Sequence, residues 1–218
     1  MKFFLDTANL EDIQQWSYLL DGVTTNPSLL SKEAHDPKQQ VLKICKILPG
    51  YDVSVEITEQ EPQAVYNQAK KIAALNASIV VKIPCHVSYY PIIHKLVNEN
   101  VRLNITLVFT LIQALFMCKL GVVYISPFIG RWDDIDVDGI ELLYQLRSMI
   151  DQYGYSTQIL AASLRHVRHM HEAIMAGVDV ATVPVDVLKK ALEHPLTNNG
   201  MALFDKDWKK LGIKNFPE

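Results

Sequence analysis

Short β-rich runs alternate with stretches of helical spacing along almost the whole chain. The runs are KFFLD (2–6), GVTTN (22–26), DVSVEIT (52–58), SIVVKIP (78–84), VRLNITLVF (101–109), VVYISPF (122–128), TQILAAS (157–163) and VDVATVPV (178–185). This alternation dictates a parallel sheet, because parallel neighbours can be joined only by a crossover. Eight is the number of strands that closes a (β/α)8 barrel. The rival, an open doubly wound sheet, usually carries a glycine-rich phosphate loop after its first strand. Here that position reads LDTANLED and has no glycine. The expectation is one closed (β/α)8 barrel domain over residues 1–218, a length that one such barrel can use.

The helical segments are expected at Leu10 to Leu20 behind an Asn9 cap, and at Pro37 to Leu48 after a loop over 31–36. Others span Pro62 to Leu75, Val87 to Glu99, Leu111 to Leu120, Ile140 to Tyr153, Val167 to Ala176 and Val185 to Glu193. Gly22, Gly121 and Gly177 stand where helix C-terminal glycines belong. NNGMALFDKDWKKL, from residue 198 on, predicts one further C-terminal helix over 199–211. Its apolar residues Leu203, Phe204, Trp208 and Leu211 go beyond what a barrel needs.

Within SIVVKIP, Lys82 interrupts Ile79, Val80, Val81 and Ile83. Lysine is seldom buried without a partner, and an apolar setting disfavours an ammonium. Two readings follow: a strand end reaching into water, or an amine tuned to attack a carbonyl and form a Schiff base. The other strands bear on the choice, since residues two apart share a face. Lys82 falls in the phase opposite Val81 and Ile83. Glu56 opposes Val55 and Ile57, and Asn104 and Thr106 oppose Leu103, Ile105 and Leu107. Asp6, Asn26, Ser126 and Ser163 sit near the ends of their own runs. An apolar phase packed on the helices leaves the polar phase inside the barrel, where the C-terminal strand ends build active sites. A lysine, two carboxylates and several amides and hydroxyls converging there favour a site. Arg131 and Arg165 follow strands six and seven, and with Ser163 they make a phosphate cradle, since guanidinium forks match phosphate oxygens.

The net charge of −3 argues against a nucleic-acid-binding surface, and no apolar stretch reaches membrane-span length. Three cysteines without a CxxC pair form neither a disulfide framework nor a zinc cluster. Together with the lack of a signal-peptide layout, they fit a cytoplasmic protein. Cys85 reads as a loop residue. His166, His169 and His171 lie in RHVRHMH, with His166 and His169 on one helical face. Without a third ligand in pattern they read as a solvated face, and no metal is expected.

In order along the chain, LDTANLEDI, GVTTNPSLL, SVEIT, VVKIP, LNITLVFT, ISPFIGRWDD, LAASLR and HPLTNNGMALFDKDW resemble the transaldolases. More narrowly, they resemble the short single-barrel subfamily that also contains fructose-6-phosphate aldolases. The resemblance runs from Phe3 to about Leu211. It implies a class I aldolase-type TIM barrel with a lysine Schiff base and no cofactor. It implies transfer of a dihydroxyacetone unit between sugar phosphates in the pentose phosphate pathway: sedoheptulose 7-phosphate and glyceraldehyde 3-phosphate exchange with erythrose 4-phosphate and fructose 6-phosphate. By the same resemblance Lys82 is the Schiff-base residue and Asp6 the acid/base at the cleaved bond. Glu56 and Thr106 hold a catalytic water; Asn26, Asn104 and Ser126 contact the dihydroxyacetone part; Arg131, Ser163 and Arg165 hold phosphate. Transaldolases carry glutamate at position 56 and phenylalanine at 128, where the aldolases carry glutamine and tyrosine. Glu56 and Phe128 thus favour transfer over free aldol cleavage. A barrel that only binds sugar phosphates is the reading from another class, and the complete proton-transfer set weighs against it. The resemblance further implies a homo-oligomer, a pentamer or decamer, with the last helix reaching onto a neighbour.

Overall fold

The computed structural model describes residues 1–33 and 35–212. Eight parallel strands close into a barrel in sequence order, β1 pairing with both β2 and β8. They are β1 Lys2–Asp6, β2 Gly22–Thr24, β3 Asp52–Glu56, β4 Ile79–Pro84, β5 Leu103–Val108, β6 Tyr124–Pro127, β7 Gln158–Ala161 and β8 Val180–Val183. The helices are α1 Leu10–Trp16, α2 Pro27–Glu33, α3 Pro37–Ile47, α4 Pro62–Ala73, α5 Tyr90–Asn98, α6 Leu111–Leu120, α7 Ile129–Asp133, α8 Ile140–Tyr153, α9 Val167–Met175, α10 Val185–Leu192 and α11 Pro195–Lys209. Among the described residues, no helix is long and apolar enough to cross a membrane.

Local chemistry sets these boundaries. Asn9 caps α1 by accepting the Asp12 N–H at 3.0 Å. Asp36 caps α3 by accepting the Gln39 N–H at 3.1 Å. Thr110 and Gln113 form a reciprocal capping box on α6. Gly121 and Gly177 take φ of 80° and 70°, as helix-ending glycines do.

Gly22 corrects the expectation: it is the first residue of β2. A β-carbon there would sit 2.6 Å from the Asp52 carbonyl oxygen and from the Phe4 ring, so close packing, not a helix end, demands glycine. Two helices were not foreseen. In α2 the side chain of Asn26 caps and Pro27 opens the first turn, so the helix starts inside a stretch read as strand and loop. The five-residue α7 was hidden within SPFIGRWDD. The loop expected over 31–36 is replaced at its start by α2, and residue 34 lies outside the described residues. The C-terminal helix begins at Pro195, earlier than residue 199.

Strand alternation divides the interior as expected. Leu5, Val23, Val53, Val81, Leu103 and Ile125 pack outward against the helices. Phe4, Val80, Tyr124, Leu160 and Val180 fill the lower barrel. The Phe4 and Tyr124 rings meet edge to face at 6.1 Å. Tyr124 donates to Asp52 Oδ2 at 2.7 Å, toward the N-terminal ends of the strands, so this layer is a structural plug. The alternation slips in β5. Ile105 pairs with Ile125 but Val108 with Pro127, so a bulge intervenes. Leu107 takes φ of 56° and is half-buried, and Val108 occupies the outer-core place expected of Leu107.

Candidate active site

Register puts three polar residues side by side: Glu56 on β3 aligns with Lys82 on β4, and Lys82 with Asn104 on β5. Lys82 is 6% exposed, which excludes the reading of a strand end reaching into water. Its Nζ lies 3.1 Å from Glu56 Oε2 and donates to the Thr25 carbonyl at 3.1 Å. A buried ammonium needs such partners, and Glu56 is also an acceptor within reach of its proton.

Asp6 ends β1 on the same mouth. It accepts the Thr24 hydroxyl at 2.7 Å, and Thr24 Oγ1 is 2.6 Å from Thr182 Oγ1. Because Thr24 spends its proton on Asp6, Thr182 must donate to Thr24. Burial pushes the Asp6 carboxyl above the usual carboxylate range, opposed by the nearby Lys82 charge and the Thr24 hydrogen bond. A carboxylate so raised is a stronger base near neutral pH.

Across the barrel Ser126 donates to Asn104 Oδ1 at 2.6 Å, and Asn104 Nδ2 donates to Ser54 Oγ at 3.1 Å. This chain locks the Asn104 amide in one orientation. Asn26 faces the same cavity, with its Oδ1 accepting the Leu29 N–H at 2.9 Å. Thr106 Oγ1 is buried with no hydrogen-bond partner among the described residues, in a place where a hydroxyl calls for one. The cavity measures about 190 Å³ and is lined by Asp6, Asn26, Lys82, Asn104 and Ser126 toward the barrel axis. Phe128, Arg131 and Ser163 line its outer side. Glu56 reaches the site through Lys82 and does not line this cavity.

At the outer side the Phe128 ring packs edge to face on Phe109 at 6.2 Å, and Phe109 on Trp132 at 5.9 Å. Ser163 holds φ of 59°, a left-handed conformation that serine adopts only when its surroundings enforce it. Arg165 departs from the expected cradle. It is exposed, forms a two-pronged ion pair with Asp134 (Nη2 to Oδ2 at 2.7 Å), and does not line the cavity. Asp134 was not legible as its partner, since thirty-one residues separate them.

The histidines also correct their expected setting. His166 is exposed, but His169 is buried, so this is not a fully solvated face. Asp133, His166 and His169 bring ligand atoms within 4.8 Å of one another. Their hydrogen bonds suit a metal poorly. Each Nδ1 accepts a backbone N–H, that of His169 for His166 and that of Arg165 for His169. The neutral rings therefore carry their proton on Nε2, the atom a metal would need, whereas a metal-bound histidine donates from its other nitrogen. A wider groove of about 470 Å³ includes these residues and Arg168, and its four carboxylates, Asp133, Asp136, Asp138 and Glu172, make it a poor match for an anionic substrate.

Thr24 and Ser54 hold the inner phase of their strands with Asn26 and Glu56, as the alternation predicts, and Thr182 belongs to the site without having been singled out. Thr182 was accessible to the same period-two reasoning, sharing a phase with Val180. Thr25 was not, because its contribution is a main-chain carbonyl.

The fold and the polar mouth together define an aldolase-type (β/α)8 barrel. Residues 3–215 match the family described as Transaldolase/Fructose-6-phosphate aldolase, and the chain belongs to that family. Proteins named "Probable transaldolase" are similar over nearly their whole length. One from Parabacteroides distasonis is 45% identical over 97% of this chain and 99% of its own. One from Dehalococcoides mccartyi is 45% identical with the same two shares. One from Lactiplantibacillus plantarum is 45% identical over 96% of this chain and 97% of its own. Among solved structures, a doubly substituted flavocytochrome b2 with sulfite bound has a TM-score of 0.59 at 10% identity, over 84% of this chain and 56% of that one. That likeness is one of fold alone.

Proposed function

We propose that this protein is a transaldolase: it moves a dihydroxyacetone unit from sedoheptulose 7-phosphate or fructose 6-phosphate to an aldose phosphate, through a Schiff base on Lys82. The observation that carries this reading is an almost fully buried Lys82 amine, paired with Glu56 beside a cavity that Asp6 also lines. Family membership supports it. Attack on the ketose C2 carbonyl needs the neutral amine, and Glu56 is placed to accept its proton. The carbinolamine then loses water as Glu56, through a water shared with Thr106, returns a proton to the departing hydroxyl. The unpartnered Thr106 hydroxyl favours this role.

The iminium is the electron sink. Asp6 removes the C4 hydroxyl proton, the C3–C4 bond breaks, the aldose phosphate leaves, and the bonding pair comes to rest in an enamine on Lys82. The enamine attacks the incoming aldehyde, Asp6 returns its proton to the new hydroxyl, and hydrolysis frees the lysine. Asn26, Asn104 and Ser126 hold the hydroxyls of the three-carbon unit; Arg131 and Ser163 hold phosphate, and Arg165 joins them by exchanging Asp134 for it. No cofactor takes part, and the setting is cytoplasmic.

The runner-up activity is that of a fructose-6-phosphate aldolase, in which the enamine is protonated and free dihydroxyacetone leaves. Phe128 brings no hydroxyl to the cavity, which favours transfer. The same reading makes α11 an arm between subunits of a pentamer or decamer. None of its residues is buried in the single chain, and Phe204 is 73% exposed. The deciding experiment is borohydride reduction in the presence of fructose 6-phosphate, followed by peptide mapping. A dihydroxyacetone-sized adduct on Lys82 is expected. An adduct on another lysine, or none on protein that remains active, would sink the mechanism.

A further inference from the structure

Arg131 and Ser163 come from different loops, and two contacts tie those loops together. Near the barrel axis the Gly130 N–H donates to the Ser163 carbonyl at 3.0 Å, and the Ile129 N–H to the Ala162 carbonyl at 3.0 Å. Farther out stands His169, in the first turn of α9. It is 5% exposed and has no part in the chemistry above. Its Nε2 is 3.0 Å from Asp133 Oδ2, and its Nδ1 accepts the Arg165 N–H at 3.3 Å. Asp133 lies on α7, two residues after Arg131; Arg165 lies two residues after Ser163. One neutral ring thus spans both loops behind the phosphate end.

Only one form of the ring can do this. Accepting at Nδ1 and donating from Nε2 is the pattern of the neutral Nε2–H tautomer. An imidazolium would turn Nδ1–H against the Arg165 N–H. The groups facing the ring are Asp133 from α7, which favours the charged form, and His166 and Arg165, which oppose it. His166 stacks on it with ring centroids 3.7 Å apart. Burial, with His166 and Arg165, holds the His169 pKa below its ordinary value despite Asp133, so the ring is neutral at pH 7.

We infer that His169 is a positioning residue for phosphorylated substrates, setting the separation of Arg131 from Ser163 and Arg165 by joining Asp133 to the Arg165 backbone. The inference rests on the assignment of those three residues to phosphate. It explains why the buried face of α9, which also carries Ala173, holds a histidine where an apolar side chain would pack. It also gives the exposed Arg165 segment a fixed attachment behind the cavity.

The test uses the full-length enzyme and its His169→Leu, His169→Gln and Arg131→Ala variants. Each is assayed with fructose 6-phosphate and with unphosphorylated fructose as donor, with unphosphorylated erythrose as acceptor. Because sub-ångström misplacement of binding groups is costly, His169→Leu should raise KM for fructose 6-phosphate by about tenfold with kcat within about twofold. Its kcat/KM for fructose should stay within about twofold, since that donor makes no phosphate contact. His169→Gln, whose amide offers an acceptor and a donor at similar separation, should recover most of the loss. Below neutral pH the wild-type KM for fructose 6-phosphate should also climb more steeply than that of His169→Gln, which has no titrating ring. That comparison decides the matter if His169→Leu folds poorly. If Arg131→Ala separates the two donors and neither His169→Leu nor the pH comparison does, the strut is overturned while the phosphate assignment stands. If Arg131→Ala fails to separate them, the assignment falls and the inference with it.

Discussion

Gly130 is where the two loops at the phosphate end approach most closely, and Gly130→Ala tests how tightly that approach is set. A β-carbon at 130 would lie 2.7 Å from Arg165 Nε and 2.8 Å from Arg165 Cδ, and closer still to the Ser163 carbonyl oxygen. The arginine can swing aside at the cost of its pairing with Asp134. The carbonyl cannot, because it belongs to the backbone and accepts the Gly130 N–H at 3.0 Å. Non-bonded carbon contacts settle near 3.5 Å, so the loops must part by about 0.5–1 Å. Overpacking of this kind costs about 1–3 kcal/mol. For a chain of this size that is a fall in Tm of about 2–12 °C. The functional loss should concentrate on phosphate: KM for fructose 6-phosphate should rise about tenfold, corresponding to about 1.4 kcal/mol of binding, while use of unphosphorylated fructose changes little. Thermal melts and two-donor kinetics read both effects. A variant with wild-type Tm and unchanged KM would show that the loops have slack there, and that phosphate recognition does not depend on their spacing.

Phe128→Tyr brings a hydroxyl to the enamine, and about 1.4 kcal/mol of barrier gives a tenfold change in partitioning. Dihydroxyacetone release should rise relative to transfer, and a constant ratio with both activities intact would reduce Phe128 to packing. Asp6 must be ionised to take the C4 hydroxyl proton, so activity should fall on the acid side at a pH above the ordinary carboxylate range, as its raised pKa dictates. Asp6→Asn should lose about 10²–10⁴-fold in kcat; a smaller loss would remove Asp6 from the proton transfer. The same raised pKa has a stability sign. Native Asp6 holds its proton to higher pH than the unfolded chain does, so its contribution to stability falls as pH climbs from the ordinary carboxylate pKa through the raised one. Asp6→Asn should therefore melt higher at neutral pH, and an equal or lower Tm would argue against a destabilising buried charge. Deleting α11 and the residues after it should shrink the assembly in analytical ultracentrifugation; an unchanged mass would reject the arm.

Strand alternation and the count of runs carried the barrel, because crossover geometry and a two-residue side-chain period leave few other arrangements for eight such runs. The same period placed Lys82, Glu56, Asn104 and Ser126 on the inner face, and register then made Glu56, Lys82 and Asn104 neighbours. Pattern reasoning stopped where the backbone leaves its regular period. The bulge that displaces Leu107, and the start of α2 inside TTNPS, depend on backbone geometry that no hydrophobic period reports. Partnerships between distant residues were equally illegible. Arg165 on Asp134, His169 between Asp133 and the Arg165 amide, and the Thr25 carbonyl on Lys82 arise only when loops from different strands meet at one end of the barrel. Outside the β5 bulge, sequence alone determined which side chains face the interior, since facing is a local property of a regular strand. Tertiary structure alone decided which of them hold one another, and so which are free for substrate, because hydrogen bonds and ion pairs across loops depend on distances that only the closed barrel sets.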